Sequence, residues 1–274
     1  MNSIRKVVKR PARAVMNVLS PLERSFNEAA STFVPSFYRM PDFLCVGFKK
    51  SGTTWLTANL RHHPDIFIPP EKELHYFTAR PFLPLLTYTR SFPTSRNVVC
   101  GDMTPDYCKV SGKTVRYIRR VAPETRIISM VRNPTDRVWS LTKMHWRVKY
   151  RERDLKQETP SRIIELWKSR NMQNAGDYLT PLRSWFREFG KERVHFVIHD
   201  HVISQPGQVM SDIFHHLNVD EFKPDNDILN QVVCRGQDAG LPEELKSWLD
   251  THYRRFNIEL NDYLDGAVSN WLHY

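Results

Sequence analysis

A glycine-bearing segment near residue 50 has the residue types and spacing for binding an anion. The run GFKKSGTTWL, residues 47–56, follows a short apolar stretch and leads into a helical pattern that begins at two threonines. Such a turn directs backbone N–H groups and a helix N-terminus at one spot, which suits a phosphate-like group. A Walker A loop needs lysine directly after its second glycine, but Thr53 stands there and Lys49 and Lys50 come earlier. The sequence therefore predicts an anion-binding loop of a different kind.

A second segment could bind another phosphate. In RIISMVRNPTDRVWS, residues 126–140, a strand pattern ends at Arg132, a helix starts at Asn133-Pro134, and Ser140 falls in the second turn of that helix. The planar fork of an arginine and a nearby hydroxyl can together hold a terminal phosphate. The alternative is that Asn133-Pro134 only caps a helix and that Arg132 forms a surface ion pair.

Together, these segments resemble two segments of the sulfotransferases that use 3′-phosphoadenosine 5′-phosphosulfate (PAPS). The first resembles their K-x-G-T-T loop for the 5′-phosphosulfate, and the second resembles their 3′-phosphate segment, R-[DN]-P-x-[DE]-R-x-x-S. The resemblance implies that Arg132 and Ser140 bind the 3′-phosphate and that Lys50 stabilises charge on the leaving bridging oxygen. It also implies a set of residues around the 5′-phosphosulfate: Lys50, Ser51, Gly52, Thr53, Thr54 and Trp55.

The segment EKELHYF, residues 71–77, resembles the K-E-x-x-[FY]-F segment of the heparan-sulfate branch of this family. The resemblance implies that Glu73 is the catalytic base, with Lys72 beside it. His75 is a competing base, although a lone histidine is often structural. If the segment is extended, Glu73 and His75 share one face because strand side chains alternate.

Three further segments are less specific. GDMTPDYC, residues 101–108, resembles a family segment near the acceptor cleft, but Asp102 and Met103 replace its more familiar basic or polar residues. Arg235 and Gly236 match a basic loop that covers the nucleotide in the family, without its second basic residue. The HDH run at 199–201 could bind a metal, but without further spaced ligands a turn at a helix start is the preferred interpretation, and no metal site is predicted.

The elements that must position these residues alternate between strand and helix patterns, which indicates a mainly parallel sheet. The predicted fold class is α/β, a three-layer P-loop-like fold whose central sheet is flanked by helices, with residues 41–274 as one domain and residues 1–40 as a basic amphipathic arm. Residues 77–96 predict a loop or short-helix insertion over the sheet edge. Strands are predicted at 43–48, 97–101, 126–131 and 193–198, and helices at 112–121, 134–148, 160–170, 178–189, 204–217 and 241–264.

Composition limits the class of protein. The 274 residues are 41% hydrophobic and 26% charged, which is globular usage and excludes collagen and disordered chains. The four cysteines are widely spaced, which favours reduced thiols. No apolar run could cross a bilayer, and the N-terminus lacks a secretory signal pattern, so cytoplasmic placement is the expectation. The net charge of +10 divides between the arm and the rest of the chain. No nucleic-acid partner is expected, whereas the arm could pack on the domain or contact an anionic membrane surface.

The predicted function is transfer of a sulfuryl group from PAPS to a hydroxyl or amine of a glycan, a glycolipid or a small hydroxylated metabolite. The resemblance implies in-line displacement with Glu73 as base and without a metal. One alternative is a P-loop small-molecule kinase, for which Asp102 would supply the Mg²⁺ carboxylate. The other is a non-catalytic binder of anionic lipid or nucleic acid, suggested by the charge.

Overall fold

A computed structural model describes residues 39–273 apart from 80–82, 96, 151–153, 171 and 231–238. In this part of the chain five strands form one sheet in the order β2-β3-β1-β4-β5, and every pairing is parallel. The strands are β1 (Phe43–Gly47), β2 (Ile66–Phe67), β3 (Val99–Asp102), β4 (Arg126–Val131) and β5 (Val194–Ile198).

Helices connect the strands, as parallel pairing requires. They are α1 (Thr53–Leu60), α2 (Tyr76–Ala79), α3 (Leu85–Thr89), α4 (Gly112–Val121), α5 (Pro134–Lys149), α6 (Pro160–Ser169), α7 (Leu179–Phe189), α8 (His199–Ser204), α9 (Pro206–Leu217), α10 (Asn226–Leu229) and α11 (Glu243–Tyr263). Short 3₁₀ turns lie between them at Pro105–Lys109, Leu155–Gln157, Met172–Asn174, Lys191–Arg193 and Ser269–Leu272.

Both faces of the sheet are buried, because side chains alternate along each strand. On one face, Leu44 and Val46 pack in a core cluster with side chains of α4 and α7. On the other face, Phe43 and Cys45 pack in a cluster with side chains of α1 and α9. A third cluster, built by α5, α6 and α11 around three buried tryptophans, lies beside these layers. The predicted three-layer α/β fold is confirmed.

The strand order brings the candidate chemistry to one edge of the sheet. β1 is central, with β3 beside it on one side and β4 on the other; the chain runs from β1 to β2 at the edge, returns to β3, and then crosses to β4. Since all five strands run in the same direction, the loops that follow their carboxyl ends lie along one edge. Ligands of open parallel sheets bind in the crevice at such a switch point.

Several predicted boundaries differ from the structure. The strand predicted at 97–101 begins at Val99, because the Val98 carbonyl accepts a hydrogen bond from the Arg39 guanidinium at 2.7 Å instead of joining the ladder. The helix predicted at 204–217 begins at Pro206, because the residue before a proline avoids helical backbone.

The stretch predicted as a loop or short-helix insertion contains two short helices, and these pack on one face of the sheet. Residues 76–79 and 85–89 form the short helices α2 and α3, whose side chains belong to the core cluster on one face of the sheet. Tyr76, Phe77, Leu85 and Tyr88 are each buried there, with no more than 3% of their surface exposed, which explains the aromatic and leucine content of this stretch.

Candidate active site

The glycine-bearing loop between β1 and α1 forms a cradle, a turn with left-handed backbone at two residues just before the helix. The Phe48 N–H donates to the Met130 carbonyl at 2.7 Å, which fixes the loop to β4. Lys50 and Gly52 both adopt left-handed backbone, with φ of 68° and 99°. Alternating backbone of this kind turns successive N–H groups toward one concavity, which is an anion-binding arrangement. It lies at the N-terminus of α1, whose dipole adds to it.

Gly52 is required in this loop for two reasons. Its positive φ is costly for a residue with a side chain. A Cβ at this position would also lie 3.1 Å from Met130 Cε and 3.2 Å from His199 Cδ2. The loop therefore packs closely against the ends of β4 and β5.

Arg132 leaves the end of β4 at the start of α5. The Asn133 side chain accepts from the Thr135 N–H at 3.0 Å and caps α5, which the alternative interpretation of this segment had described. The Thr135 hydroxyl donates to Asp250 of α11 at 2.5 Å, which anchors this end of the helix. The Arg132 guanidinium lies 3.8 Å from Asp136 and keeps a quarter of its side chain exposed.

His199 connects the two predicted phosphate segments. Its ring lies against Gly52. Burial, together with the positive charge of Arg132, lowers the pKa of His199 to about 4. The imidazole is therefore neutral at physiological pH. The sequence correctly predicted a helix start here, but it gave no sign of the contact with Gly52, which depends on the packing of β5 beside β4.

Arg137 packs against the loop between β1 and α1. Its guanidinium lies over the rings of Phe48 and Tyr178, with centroid distances of 5.4 and 5.1 Å. It also donates to the Lys49 carbonyl at 3.4 Å and to the Ala175 carbonyl. Sequence analysis placed this arginine inside the second motif but assigned it no role. Its burial indicates that it positions the loop.

Glu73 lies at the centre of a cluster of cations. His75 Nε2 is 3.2 Å from its Oε2, and Lys49 Nζ and Lys72 Nζ are each 4.0 Å from its carboxylate. Glu73 and His75, which the sequence offered as competing bases, are thus one interacting pair. Lys49 Nζ also contacts Asp106 at 2.6 Å, a pairing that the sequence did not predict.

The base segment is not an extended strand, so the expectation of a shared strand face was wrong. Glu73 and His75 both have left-handed backbone, with φ of 66° and 55°. The two side chains meet because the chain turns at both positions. The His75 N–H donates to the Thr104 hydroxyl at 3.4 Å, and His75 Nδ1 lies 3.1 Å from the Thr78 hydroxyl.

Lys72 joins the base segment, residues 71–77, to the predicted donor loop, residues 48–54. Its Nζ donates to the Thr54 hydroxyl at 2.8 Å and lies 4.0 Å from Glu73 Oε1. The side chain is 23% exposed. The predicted base and the predicted anion loop therefore border the same space.

Asp102 is a buried structural group. Its carboxylate accepts hydrogen bonds from Tyr88 at 2.8 Å, Tyr107 at 2.8 Å and Thr104 at 2.6 Å. Burial raises its pKa above the usual value for a carboxyl group, despite the three hydroxyl donors. The same network holds Thr104, which in turn holds the His75 backbone.

The remaining predicted residues lie at or beyond the rim of this site. Trp55 is buried, and its indole N–H donates to the Leu229 carbonyl at 2.8 Å. Ser140 is partly buried on α5. Arg235 and Gly236 lie outside the described residues. No cluster of three or more histidine, cysteine, aspartate or glutamate side chains suited to a metal ion occurs in the described part of the chain.

Comparisons with known proteins agree with the motifs. The model of the family described as "Sulfotransferase domain" matches residues 40–233. Bifunctional heparan sulfate N-deacetylase/N-sulfotransferase 1 of Caenorhabditis briggsae is 21% identical over 275 residues, which cover 84% of this chain and 32% of that protein. Heparan sulfate glucosamine 3-O-sulfotransferase 6 of Homo sapiens is 36% identical over 107 residues, which cover 39% of this chain and 31% of that protein. The chain thus spans about a third of the length of these relatives.

A solved structure shares the fold. The crystal structure of a sulfotransferase from Alicyclobacillus acidocaldarius superposes with a TM-score of 0.69 at 24% identity. The match covers 86% of this chain and 100% of that one. The parallel sheet and its flanking helices are therefore arranged alike in the two proteins.

Proposed function

Because the chain belongs to the sulfotransferase family, we propose that it transfers a sulfuryl group from PAPS to a hydroxyl or amine of a glycan, a glycolipid or a small hydroxylated metabolite. The observation that carries this proposal is the contact between Lys72 and Thr54, which joins the segment of the predicted base to the predicted donor loop. An acceptor oxygen or nitrogen beside Glu73 would therefore also be beside the donor loop.

The residues at the donor side fit a nucleotide with phosphate groups at its 3′ and 5′ positions. The cradle at Lys50 and Gly52 suits the 5′-phosphosulfate, and Arg132 with Ser140 suits the 3′-phosphate. Ser51 Oγ and Arg132 Nε are buried and have no hydrogen-bond partner among the described residues. Buried donors without acceptors are unfavourable, and a bound anion would favour small adjustments that satisfy them. The donor supplies an activated sulfuryl group linked to its 5′-phosphate.

Glu73 takes the proton of the acceptor. Its carboxylate is partly buried among Lys49, Lys72 and His75. A carboxylate at this position can accept a proton from a hydroxyl or amine beside it. His75 holds one carboxylate oxygen and orients the base. Lys50 stabilises the charge that develops on the leaving oxygen, so electrostatics and positioning supply most of the catalysis.

The names of the relatives support a glycan acceptor. Two of them are named as heparan sulfate sulfotransferases, one acting on N and one on the 3-O position of glucosamine. A glycan hydroxyl or amine is therefore the first acceptor class to test. The kinase alternative has no support at Asp102, because its carboxylate accepts three hydroxyl hydrogen bonds within the protein.

The cellular setting remains a proposal. No helix of the described residues is long and apolar enough to cross a membrane. We retain cytoplasmic placement, residues 41–274 as one domain, and contact of the basic arm, residues 1–40, with an anionic membrane surface. Sedimentation with neutral and with phosphatidylserine-containing vesicles, using the full chain and a chain lacking the arm, tests the membrane contact. Only the full chain is expected to bind vesicles, and it should bind only the anionic ones.

The transfer reaction is tested with radiolabelled PAPS and a panel of acceptors. The panel contains N-desulfated and N-sulfated heparan oligosaccharides, glycolipids and small phenols or alcohols, each incubated with excess EDTA. We expect label to enter at least one class without added metal. Absence of transfer to every class, or transfer that requires Mg²⁺ or Zn²⁺, would contradict the proposal.

A further inference from the structure

We propose that Lys72 is a third catalytic group, which binds the sulfuryl oxygens while the sulfuryl group moves from donor to acceptor. This inference rests on the proposed function and adds a residue to it. The Lys72 ammonium is 2.8 Å from the Thr54 hydroxyl of the donor loop and 4.0 Å from the carboxylate of Glu73. In-line transfer requires the sulfuryl group to pass between these two sides of the site.

The other lysines of the cluster are less suited to this position. The proposed reaction already assigns Lys50 to the leaving oxygen. Lys49 forms a 2.6 Å ion pair with Asp106, so its charge is largely compensated by that carboxylate. The Lys72 ammonium contacts the Thr54 hydroxyl of the donor loop and lies 4.0 Å from the base, so it is near both.

The end of β3 offers no cation at the neighbouring position. The segment GDMTPDYC has Met103 where the resemblance leads one to expect a basic or polar residue. The Met103 side chain is 1% exposed and belongs to the core cluster formed with α1 and α9. A cation from the base segment can take the place of one from β3, and Lys72 is positioned to do so.

The reaction balances without any change in the covalent state of Lys72. The acceptor proton goes to the Glu73 carboxylate, and a bond forms between the acceptor oxygen or nitrogen and sulfur. The bond between sulfur and the bridging oxygen of the 5′-phosphate breaks, and its electron pair stays on that oxygen beside Lys50. Throughout, the Lys72 ammonium donates hydrogen bonds to sulfuryl oxygens, which is a charge-assisted interaction.

A purely structural role would have Lys72 hold only the Thr54 side chain. That role and the proposed one differ in their effect on two nucleotides: PAPS carries the sulfuryl group, and adenosine 3′,5′-bisphosphate (PAP) lacks it. Calorimetric dissociation constants of both, measured without acceptor, give a ratio that isolates contact with the sulfuryl group. The comparison uses wild type, Lys72→Met, Lys72→Arg and Lys113→Met, the last replacing an exposed lysine of α4.

We expect Lys72→Met to weaken PAPS relative to PAP by about 10-fold or more, the usual effect of losing a hydrogen bond to a charged group. Turnover should fall by about 100-fold, as for the loss of a transition-state donor. Lys72→Arg should keep part of the PAPS affinity and part of the turnover that Lys72→Met loses. Lys113→Met should match wild type in both quantities. Thr54→Val, which removes the other end of the contact, should weaken both nucleotides by similar factors.

The PAPS-to-PAP ratio decides the proposal. A ratio in Lys72→Met equal to that of wild type would overturn it, whatever happens to turnover, and would leave the proposed function standing if wild type still transfers label. A wild-type protein that binds neither nucleotide would overturn the proposed function and this inference with it.

Discussion

The donor loop, residues 48–54, is fixed mainly by its own backbone, whereas the base segment, residues 71–77, is fixed by side chains from distant parts of the chain. In the loop, Lys50 and Gly52 turn the chain and a backbone hydrogen bond ties it to β4. In the base segment, Glu73 meets Lys49 across the site, and the His75 backbone binds Thr104. Substitutions that strain the backbone of the donor loop should therefore weaken donor binding. Substitutions that remove charge from the base segment should instead lower turnover.

The largest effect is expected at the base. Glu73→Gln keeps the size of the side chain but removes its ability to accept a proton. Turnover should fall by about 10² to 10⁴, the usual contribution of a general base, while PAP affinity stays close to that of wild type. Steady-state kinetics with the acceptor found by screening, combined with calorimetry of PAP, measures both quantities.

Glu71→Gln is the matched control, because Glu71 is exposed and lies two residues away. It should leave turnover unchanged. Near-normal turnover of Glu73→Gln, together with an inactive His75→Ala, would exchange the roles of the two residues. Mild effects in both variants would move the base to another group, with His62, His63 and His145 as the next candidates.

A smaller effect, on binding, is expected in the donor loop. Gly52→Ala puts a side chain on left-handed backbone and brings its Cβ within 3.2 Å of both Met130 and His199. Strain of about 1–3 kcal/mol corresponds to a loss of PAP affinity of about 5- to 150-fold. Gly207→Ala is the control, because a Cβ at Gly207 would meet nothing within 4 Å. Equal PAP affinity in the two variants would show that the loop is not held as described.

The same contrast explains what the sequence could predict. The donor loop and the start of α5 follow from local spacing, so the helix cap at Asn133 and the turn before Thr53 were predicted from the residues themselves. The left-handed backbone at Glu73 and His75 was missed, because non-glycine residues seldom adopt it and nothing local requires it. The Lys49–Asp106 pair was missed because it joins segments that only the fold brings together.

The smallest effect is on stability, and it concerns His216, which belongs neither to the donor loop nor to the base segment. Burial and the nearby His195 lower the pKa of His216 to about 4. Between that value and about 6.5, the ordinary pKa of histidine, the unfolded chain binds the proton more readily, so stability falls as pH falls through this window. The melting temperature of His216→Gln should therefore fall less than that of wild type when the pH is lowered from about 7 to about 4.5.

The expected gain at the lower pH is about 2–4 °C, the shift that about 1 kcal/mol produces in a domain of this size. His201→Gln is the control, because His201 is exposed. It should follow the wild-type curve. Identical acid dependence in all three proteins would mean that His216 is not held neutral by the fold.

The central claim is that the loop at Lys50 and the segment at Arg132 bind the two phosphates of one nucleotide. Calorimetry of PAP and adenosine 5′-monophosphate, on wild type and on Arg132→Ala, tests it most directly. Wild type should bind PAP more tightly, and Arg132→Ala should weaken PAP by about 10- to 100-fold while leaving the monophosphate nearly unchanged, since only PAP has the 3′-phosphate that we assign to this guanidinium. Equal affinities of wild type for the two nucleotides, or equal losses of both in the variant, would contradict the account.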